Sequence, residues 1–421
     1  MKSTVITKII NISLRGATLV SKFLLIFFLA RFLEPAEVGL YGLLMASVGY
    51  AIYWVGFDFY TFSSREIIGA ERKLWGGMLK DQAVFFLFIY LLLLPLLMLV
   101  FIKGLMPWYL APWFFLLLIL EHLGQELNRL LVAISEPLFA SFVLFVRSGA
   151  WVCVVLPLMW LDPELRKLET VLAAWSVGVG VACCLGFTRV VHLRLKGWLT
   201  AVDWHWVWKG IKVAVPFLLA TLAVRGILTV DRYWVQATSD MDLLGAYVLF
   251  MGIATAVISF LDAGVFVFIY PALIAAYRNG DSDKFKAGMH QLTLQTVLVG
   301  GVISLLAFVL LGPVLSWLDK PFYIEKAGLF SWIMLAMILY GLSMIPHYGL
   351  YAKGADKHII LSHLAGLVVF PPSAYMLSRS NGELAVPYAL CISFALIFFW
   401  KLYAYAVLRG KSCAKNVQLS L

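Results

Sequence analysis

Long apolar runs recur from one end of the chain to the other, separated by short polar segments. Each run is about 20 residues long, which is the length an α-helix needs to cross the hydrocarbon core of a bilayer. We place the predicted helices at residues 9–33, 39–62, 82–102, 113–134, 138–160, 170–191, 213–236, 244–270, 291–312, 329–351, 358–377 and 385–408. The pattern therefore predicts an all-α membrane protein of about twelve transmembrane helices.

The composition argues against a water-soluble fold. Of 421 residues, 62% are hydrophobic and 13% are charged, whereas soluble domains have roughly 45–50% and about 25%. The first apolar run, bracketed by Lys22 and Arg31, is followed by further spans and not by a small-residue cleavage pattern, so we do not expect a cleaved signal peptide. The five cysteines lack the spacing of a metal site or a disulfide framework, and we predict neither a metal nor a cofactor.

The basic residues indicate the orientation of the helices. If both termini are cytoplasmic, Lys and Arg concentrate in the inside segments, as the positive-inside rule requires. The inside clusters are Arg65, Arg72, Lys73 and Lys80, then Arg194, Lys196, Lys209 and Lys212, then Arg409, Lys411 and Lys415. The net charge of +10 is then explained by orientation and by contact with anionic membrane lipids, and we expect no nucleic-acid partner.

A polar segment divides the chain into two halves of six helices. Residues 192–212 combine charges with Trp198, Trp204, Trp206 and Trp208, which is typical of a segment lying along the cytoplasmic membrane surface. We therefore predict an N-terminal lobe at residues 1–191, this interfacial linker at 192–212, and a C-terminal lobe with a short cytoplasmic tail at 213–421.

A short internal repeat supports this division. The second and eighth predicted helices each follow an acidic loop and begin with Gly-x-Tyr, at Gly39-Leu40-Tyr41 and at Gly245-Ala246-Tyr247. Because six is an even number of crossings, the halves would be parallel repeats related by an axis along the membrane normal. Such a repeat predicts a substrate site between the halves, near the middle of the bilayer.

Several predicted helices carry their few polar residues on one face. At 100° per residue, one face of the first helix holds Asn11, Arg15, Thr18 and Lys22, and one face of the seventh holds Thr221, Arg225, Thr229, Arg232 and Gln236. The fourth helix groups Glu121, His122, Gln125, Glu126, Asn128 and Arg129, and the second spaces Ser47, Tyr50, Trp54 and Asp58 in the same way. Because intramembrane charges normally face the bundle interior or water, these stripes predict a hydrated cavity.

The candidate site consists of the ionisable residues in these helices. The candidate substrate-binding cations are Arg15, Lys22, Arg129, Arg147, Arg225 and Arg232, and the candidate coupling or ion-pairing acids are Asp58, Glu121, Glu126, Asp231 and Asp262. A cluster of Arg and Lys in a low dielectric suits a phosphate or diphosphate group. Two alternatives stay open: Arg15, Arg129 and Lys401 could snorkel to the interface, and Asp231–Arg232 or Glu126–Arg147 could be structural ion pairs.

The run from Leu29 to Leu43, Leu-Ala-Arg-Phe-Leu-Glu-Pro-Ala-Glu-Val-Gly-Leu-Tyr-Gly-Leu, resembles a motif of the polysaccharide biosynthesis family. These are Wzx-type O-antigen flippases of the multidrug/oligosaccharidyl-lipid/polysaccharide (MOP) exporter superfamily, which includes the MATE transporters. Glu34 stands where that family usually has glycine. Chain length, twelve spans in two six-helix lobes and cytoplasmic termini agree over the whole chain, although this one segment alone is motif-like.

The resemblance implies a bacterial inner-membrane protein that is not an enzyme. By alternating access it would translocate an undecaprenyl-diphosphate-linked oligosaccharide from the cytoplasmic to the periplasmic leaflet, coupled to an ion gradient or the membrane potential. Its partners would be the lipid-linked oligosaccharide, membrane lipids, and a polysaccharide polymerase with its chain-length regulator. The alternatives are a MATE-like ion-coupled drug exporter, which needs an acidic cavity, and a membrane-embedded polysaccharide polymerase or ligase, which needs a large periplasmic loop.

Overall fold

The computed structural model describes residues 2–418, and the side chains of residues 9–408. Over that part of the chain, twelve helical segments are long and apolar enough to cross a membrane, which confirms the predicted all-α class. We number them α1 (Ile9–Phe32), α2 (Pro35–Gly56), α3 (Arg72–Ile102), α4 (Trp108–Ala133), α5 (Pro137–Leu161), α6 (Leu168–His192), α7 (Trp204–Thr238), α8 (Met241–Arg278), α9 (Ser282–Leu318), α10 (Gly328–Ala352), α11 (Asp356–Ser378) and α12 (Gly382–Leu408). The predicted basic tail, Arg409, Lys411 and Lys415, lies outside the described side chains.

Acidic residues define where two of the helices begin. Glu34 is the N-cap of α2, Pro35 occupies the first helical position, and the Glu37 carboxylate accepts a hydrogen bond from the Glu34 backbone N–H at 3.2 Å. This arrangement is a capping box. At α8, the Asp240 carboxylate accepts from the Leu243 N–H at 2.7 Å. The acidic loops of the internal repeat therefore serve, at least, to start the second helix of each half.

The chain divides into two compact units. The first contains Met1–Glu37 and Tyr41–Leu222, and the second contains Val38–Leu40 and Ala223–Leu421. Helix α7 starts at Trp204, nine residues earlier than its predicted start at residue 213, and it passes from the first unit into the second. The lobe boundaries inferred from the sequence stay a prediction.

An aromatic cluster forms part of the core of the first unit. Phe59, Phe62, Phe85 and Phe86 pack around Trp206, and a Cβ on Gly210 would lie 2.4 Å from the Phe59 ring. Trp206 is only 8% exposed, whereas Trp198, Trp204 and Trp208 are 45%, 47% and 61% exposed. The expectation that all four tryptophans lie along a surface was therefore wrong for Trp206, because the early start of α7 turns this side chain into the core.

In the second unit, α12 packs closely against α10 and α11. Two glycines permit the approach: a Cβ on Gly349 of α10 would lie 2.5 Å from the Tyr405 ring, and one on Gly366 of α11 would lie 2.6 Å from Ile397. Phe330, Phe370 and Phe394 are fully buried in this unit. Small residues at such contacts let helix backbones approach, which favours packing in an apolar solvent.

The second helix of each half is interrupted at a similar position. Helix α2 ends at Gly56, Phe57 and Asp58 adopt left-handed φ values of 55° and 47°, and a separate helix follows at Tyr60–Gly69. In α8, residues Asp262–Phe266 form a π-helical turn. The sequence predicted that Asp58 continues the polar stripe of α2. It does not, because α2 ends at Gly56, before Asp58. A second π-helical turn, Val146–Ala150 in α5, contains Arg147.

Two glycines of α6 provide a test of how α5 packs against α6. A Cβ on Gly178 would lie 2.6–2.8 Å from Trp151 atoms, whereas one on Gly180 would meet nothing within 4 Å. We expect Gly178→Ala to destabilise the protein by about 1–3 kcal/mol through overpacking, and Gly180→Ala to be neutral or stabilising by up to about 1 kcal/mol. Thermal unfolding of both detergent-solubilised variants measures this. Equal melting temperatures would contradict the described contact of α5 with α6.

Candidate functional site

The cations of α1 are exposed but face polar neighbours. The Arg15 side chain donates from Nε to Ser141 Oγ at 3.3 Å, and Ser141 donates to Asn11 Oδ1 at 2.6 Å. Lys22 is exposed and lies within electrostatic range of Arg147 and Glu121. The described neighbours of both cations are thus polar or charged groups of α4 and α5.

Glu121 links α4 to two neighbouring helices. Its carboxylate accepts a hydrogen bond from Trp175 Nε1 at 2.7 Å and lies 3.5 Å from Arg147 Nε. The Nε and Nη1 atoms of Arg147 are buried and have no hydrogen-bond acceptor among the described residues. The guanidinium therefore keeps donors available for a further anion or for water.

Arg129 is neutralised by an ion pair. Its Nη1 donates to Glu126 Oε1 at 2.6 Å, and Gln82 Nε2 donates to the other carboxylate oxygen at 2.9 Å. The Arg129 guanidinium also lies 3.5 Å from the centre of the Tyr60 ring. Burial raises the pKa of the Tyr60 hydroxyl, and the nearby guanidinium opposes this increase. The sequence analysis considered an ion pair between Glu126 and Arg147. Both residues form ion pairs, but with other partners: Glu126 with Arg129, and Arg147 with Glu121.

Asp231 and Arg232 form a buried network in the second unit. Asp231 is fully buried and Arg232 is 8% exposed. The Asp231 carboxylate accepts from Tyr247 Oη at 2.6 Å, from Arg232 Nη1 at 3.1 Å and from the Arg232 backbone N–H at 2.7 Å. Arg232 Nη1 also donates to the Leu228 carbonyl. Arg232 is thus held by its neighbours, as the ion-pair alternative expected.

Arg225 is the exposed member of the Arg225–Arg232 pair of α7. It lies within electrostatic range of Asp262, which is also exposed and begins the π-helical turn of α8. An opened helical turn frees backbone groups and redirects side chains, and such turns are frequent at functional sites. This pair resembles the first unit, where Lys22 lies near Glu121.

Lys401 is buried, which the sequence did not indicate. It is fully buried in α12, its Nζ has no hydrogen-bond acceptor among the described residues, and it lies within electrostatic range of His347. The ring centres of His347 and His363 are 6.1 Å apart. The snorkelling interpretation of Lys401 was therefore wrong. In the sequence, Lys401 lies near the end of an apolar run, which is also where a snorkelling lysine occurs. Its burial becomes evident only from the structure, in which His347 lies nearby.

The candidate residues thus fall into two groups. Arg129 and Arg232 are committed to Glu126 and Asp231, whereas Arg15, Lys22 and Arg225 are exposed. Asp58 is buried in the turn after α2. No group of His, Cys, Asp and Glu in the described part of the chain could hold a metal ion.

Comparison with known proteins identifies the fold. No protein-family model matches the chain, and no curated protein sequence matches it either. Solved structures do match. An outward-facing multidrug resistance MATE family transporter of the MOP superfamily has a TM-score of 0.56 at 14% identity, covering 96% of this chain and 95% of that one. A MOP superfamily transporter from Pyrococcus furiosus, whose binding pocket is described as having reverse polarity, has a TM-score of 0.56 at 13% identity over 96% and 95% of the two chains.

A mutant of a MATE transporter from Vibrio cholerae has a TM-score of 0.54 at 12% identity, covering 97% of this chain and 99% of that one. The chain therefore has the fold of multi-pass MATE transporters of the MOP superfamily. At these identities the likeness concerns the fold alone.

The Tyr247 hydroxyl tests the buried network. We expect Tyr247→Phe to destabilise the protein by about 1.5–3 kcal/mol, the usual contribution of a hydrogen bond to a charged group. Tyr41, the equivalent tyrosine of the first half, is similarly buried and makes no hydrogen bond through its hydroxyl within the described side chains, so Tyr41→Phe is the matched control. Thermal unfolding of the two variants measures the difference, and an equal loss would show that the Asp231 hydrogen bond contributes nothing.

Proposed function

We propose that the protein is a bacterial inner-membrane flippase. Its substrate would be an undecaprenyl-diphosphate-linked oligosaccharide, such as an O-antigen repeat unit, moved from the cytoplasmic to the periplasmic leaflet by alternating access through a cationic cavity. The fold supports a membrane transporter in general. The specific substrate rests on the residues of this chain and on the motif around Pro35.

The exposed cations of α1 and α7 carry the proposal. Arg15, Lys22 and Arg225 belong to the first helix of each half, and each has polar neighbours within its own unit. A diphosphate is a compact, multiply charged anion, and guanidinium groups bind its oxygens in bidentate fashion. Arg147, near Lys22, pairs with Glu121 through Nε and has a buried Nη1 without a described acceptor, so this part of the first unit offers a further donor for an anion.

The acids divide in the same way as the cations. Glu126 and Asp231 neutralise adjacent arginines, which gives them a structural role. Glu121 and Asp262 lie beside cations that are proposed to bind substrate, and we assign any ion coupling to them. Asp58, in the turn that ends α2, stays a further candidate for coupling.

A MATE-like ion-coupled drug exporter is the second candidate function. The matching multidrug transporter structure favours it, as do the exposed carboxylate of Asp262 and the carboxylate of Glu121. A cationic drug requires carboxylates that outweigh neighbouring cations. In this chain, each of these two acids lies near a cation, Arg147 in the case of Glu121 and Arg225 in the case of Asp262, and for that reason we favour an anionic cargo. A polysaccharide polymerase or ligase is separated by genetics, because its loss leaves single repeat units on the cell surface and flippase loss leaves none.

The central test is transfer of a fluorescent lipid-linked oligosaccharide between leaflets of proteoliposomes. We expect Lys22→Ala or Arg225→Ala to abolish transfer, because the diphosphate loses a counter-charge. Lys22→Arg and Arg225→Lys should retain part of it, since the charge is kept while the geometry changes. Leaflet accessibility of the fluorophore to a membrane-impermeant quencher provides the measurement, with and without a proton gradient or a membrane potential.

Lys326→Ala is the matched control. Hydrogen bonds to Glu383 and Glu325 raise the pKa of Lys326 to about 12, so the wild-type residue is charged at every pH used. It lies between α9 and α10, away from the proposed site, and its loss should leave transfer unchanged. Wild-type transfer by both alanine variants at Lys22 and Arg225 would assign those residues to structure. Transfer of a cationic dye in place of the lipid would favour the drug exporter.

A further inference from the structure

The second unit contains a cavity of about 1060 Å³ that the proposed transport site does not use. It lies between the first half of α9, the last turns of α10 and part of α12, next to the end of α8. One end of this lipid-sized cavity is lined by polar residues and the other by apolar residues.

One face of α9 changes from polar to apolar residues along the cavity. Lys286, His290, Thr293 and Val297 all line the cavity, and their spacing of four, three and four residues places them along one face of the helix. From Lys286 to Val297 the helix rises roughly 16 Å. This depth matches one leaflet of the hydrocarbon core, whose full thickness is about 30 Å.

The walls formed by α10 and α12 are likewise apolar in the deeper part and polar at the rim. Leu342, Ile345 and Pro346 of α10 and Phe398 and Leu402 of α12 line the deeper part. At the polar end, Lys353 follows α10, and its Nζ lies 4.9 Å from the centre of the Tyr405 ring and 5.9 Å from that of Phe285. These aromatic contacts hold the ammonium group at the rim of the cavity.

The rim is electrostatically positive. Asp281 also lines the cavity, but its carboxylate is 2.8 Å from Lys284 Nζ and accepts from the Lys284 backbone N–H at 3.0 Å. Hydrogen bonding by Lys284 lowers the pKa of Asp281, which keeps it ionised and paired. Lys286 lies 3.4 Å from Asp283, and both side chains are mostly exposed, so this contact contributes little. Among the described lining residues, Lys286 and Lys353 are basic and Asp281 is acidic, so positive charge predominates at the rim.

Helix α9 lies at the periphery of its unit. Only 11% of its most apolar stretch is buried, and Leu294, Leu298 and Leu305 are at least half exposed on its outer faces. In a bilayer these leucines contact acyl chains. A cavity bounded by this helix is consequently next to the lipid, and a lipid can reach it without passing through the transporter.

We propose that this cavity binds one anionic phospholipid of the surrounding leaflet, with its phosphate at Lys286 and Lys353 and an acyl chain extending to Val297. Basic pockets between transmembrane helices at the cytoplasmic side bind anionic headgroups in this way. With cytoplasmic termini, the loops after α8 and α10 lie on that side. The bound lipid is a resident ligand and not the cargo, so the proposal holds whether or not the flippase assignment is correct.

The test is a titration of the purified full-length chain in detergent with dioleoyl phosphatidylglycerol. Bound lipid is counted by native mass spectrometry, and stabilisation is followed through tryptophan fluorescence during heating. We expect binding of one phosphatidylglycerol and little binding of dioleoyl phosphatidylcholine. The double variant Lys286→Gln/Lys353→Gln should bind about 30-fold more weakly, since two cations near a membrane surface are lost. Lys357→Gln, an exposed cation at the start of α11 outside the cavity, should bind as the wild type does.

Two further measurements keep the result unambiguous. Val297→Trp fills the apolar end without changing charge, so it should weaken dioleoyl phosphatidylglycerol and spare a short-chain dihexanoyl analogue. Inorganic phosphate should not stabilise the wild type. The proposal is overturned by equal binding of phosphatidylcholine, by an equal loss in Lys357→Gln, by full-strength long-chain binding in Val297→Trp, or by undecaprenyl phosphate binding where phosphatidylglycerol does not. The melting temperature of each variant without lipid identifies any that misfold.

Discussion

The cost of an unpaired charge in an apolar helix bundle determines how this molecule is arranged. Each intramembrane cation needs either an anionic partner or access to water. Arg129 and Arg232 take the first course, with Glu126 and Asp231 at hydrogen-bond distance. Lys22 and Arg225 are exposed, and in the proposed function they take the second by facing a hydrated cavity. The same physical requirement thus separates residues that hold the helices together from the residues that we propose to contact the substrate.

The two halves meet this requirement at related positions. In each, the first helix carries a pair of cations seven residues apart, and the second helix is interrupted roughly 33 Å beyond its acidic cap. The interruptions differ in kind, since Asp58 occupies a left-handed turn and Asp262 begins a π-helical turn. Both place an aspartate where the regular hydrogen-bond ladder of a helix is broken. π-helical turns are frequent at functional sites, and both aspartates stay candidates for coupling.

The fold could be predicted from hydropathy because a bilayer permits few architectures, and length and apolarity identify its helices. The partners within the site could not. Glu121 and Glu126 are five residues apart on α4, and the sequence does not show that one lies near Arg147 while the other pairs with Arg129. The π-helical turns and the left-handed residues after Gly56 leave no distinct sequence signal. Snorkelling of Lys401 stayed open as an alternative because its burial depends on α10 and α11, which the sequence alone does not place around it.

The proximity of acids to the exposed cations gives a physical link between anion binding and an ion gradient. Lys22 lies near Glu121, and Arg225 lies near Asp262. A carboxylate competes with a diphosphate for the same cation, so neutralising the carboxylate by a proton strengthens diphosphate binding. By linkage, a bound diphosphate equally favours protonation of the carboxylate. An acid beside Lys22 and beside Arg225 is therefore no argument against an anionic cargo, because it is the element through which such a cargo could be coupled to protons.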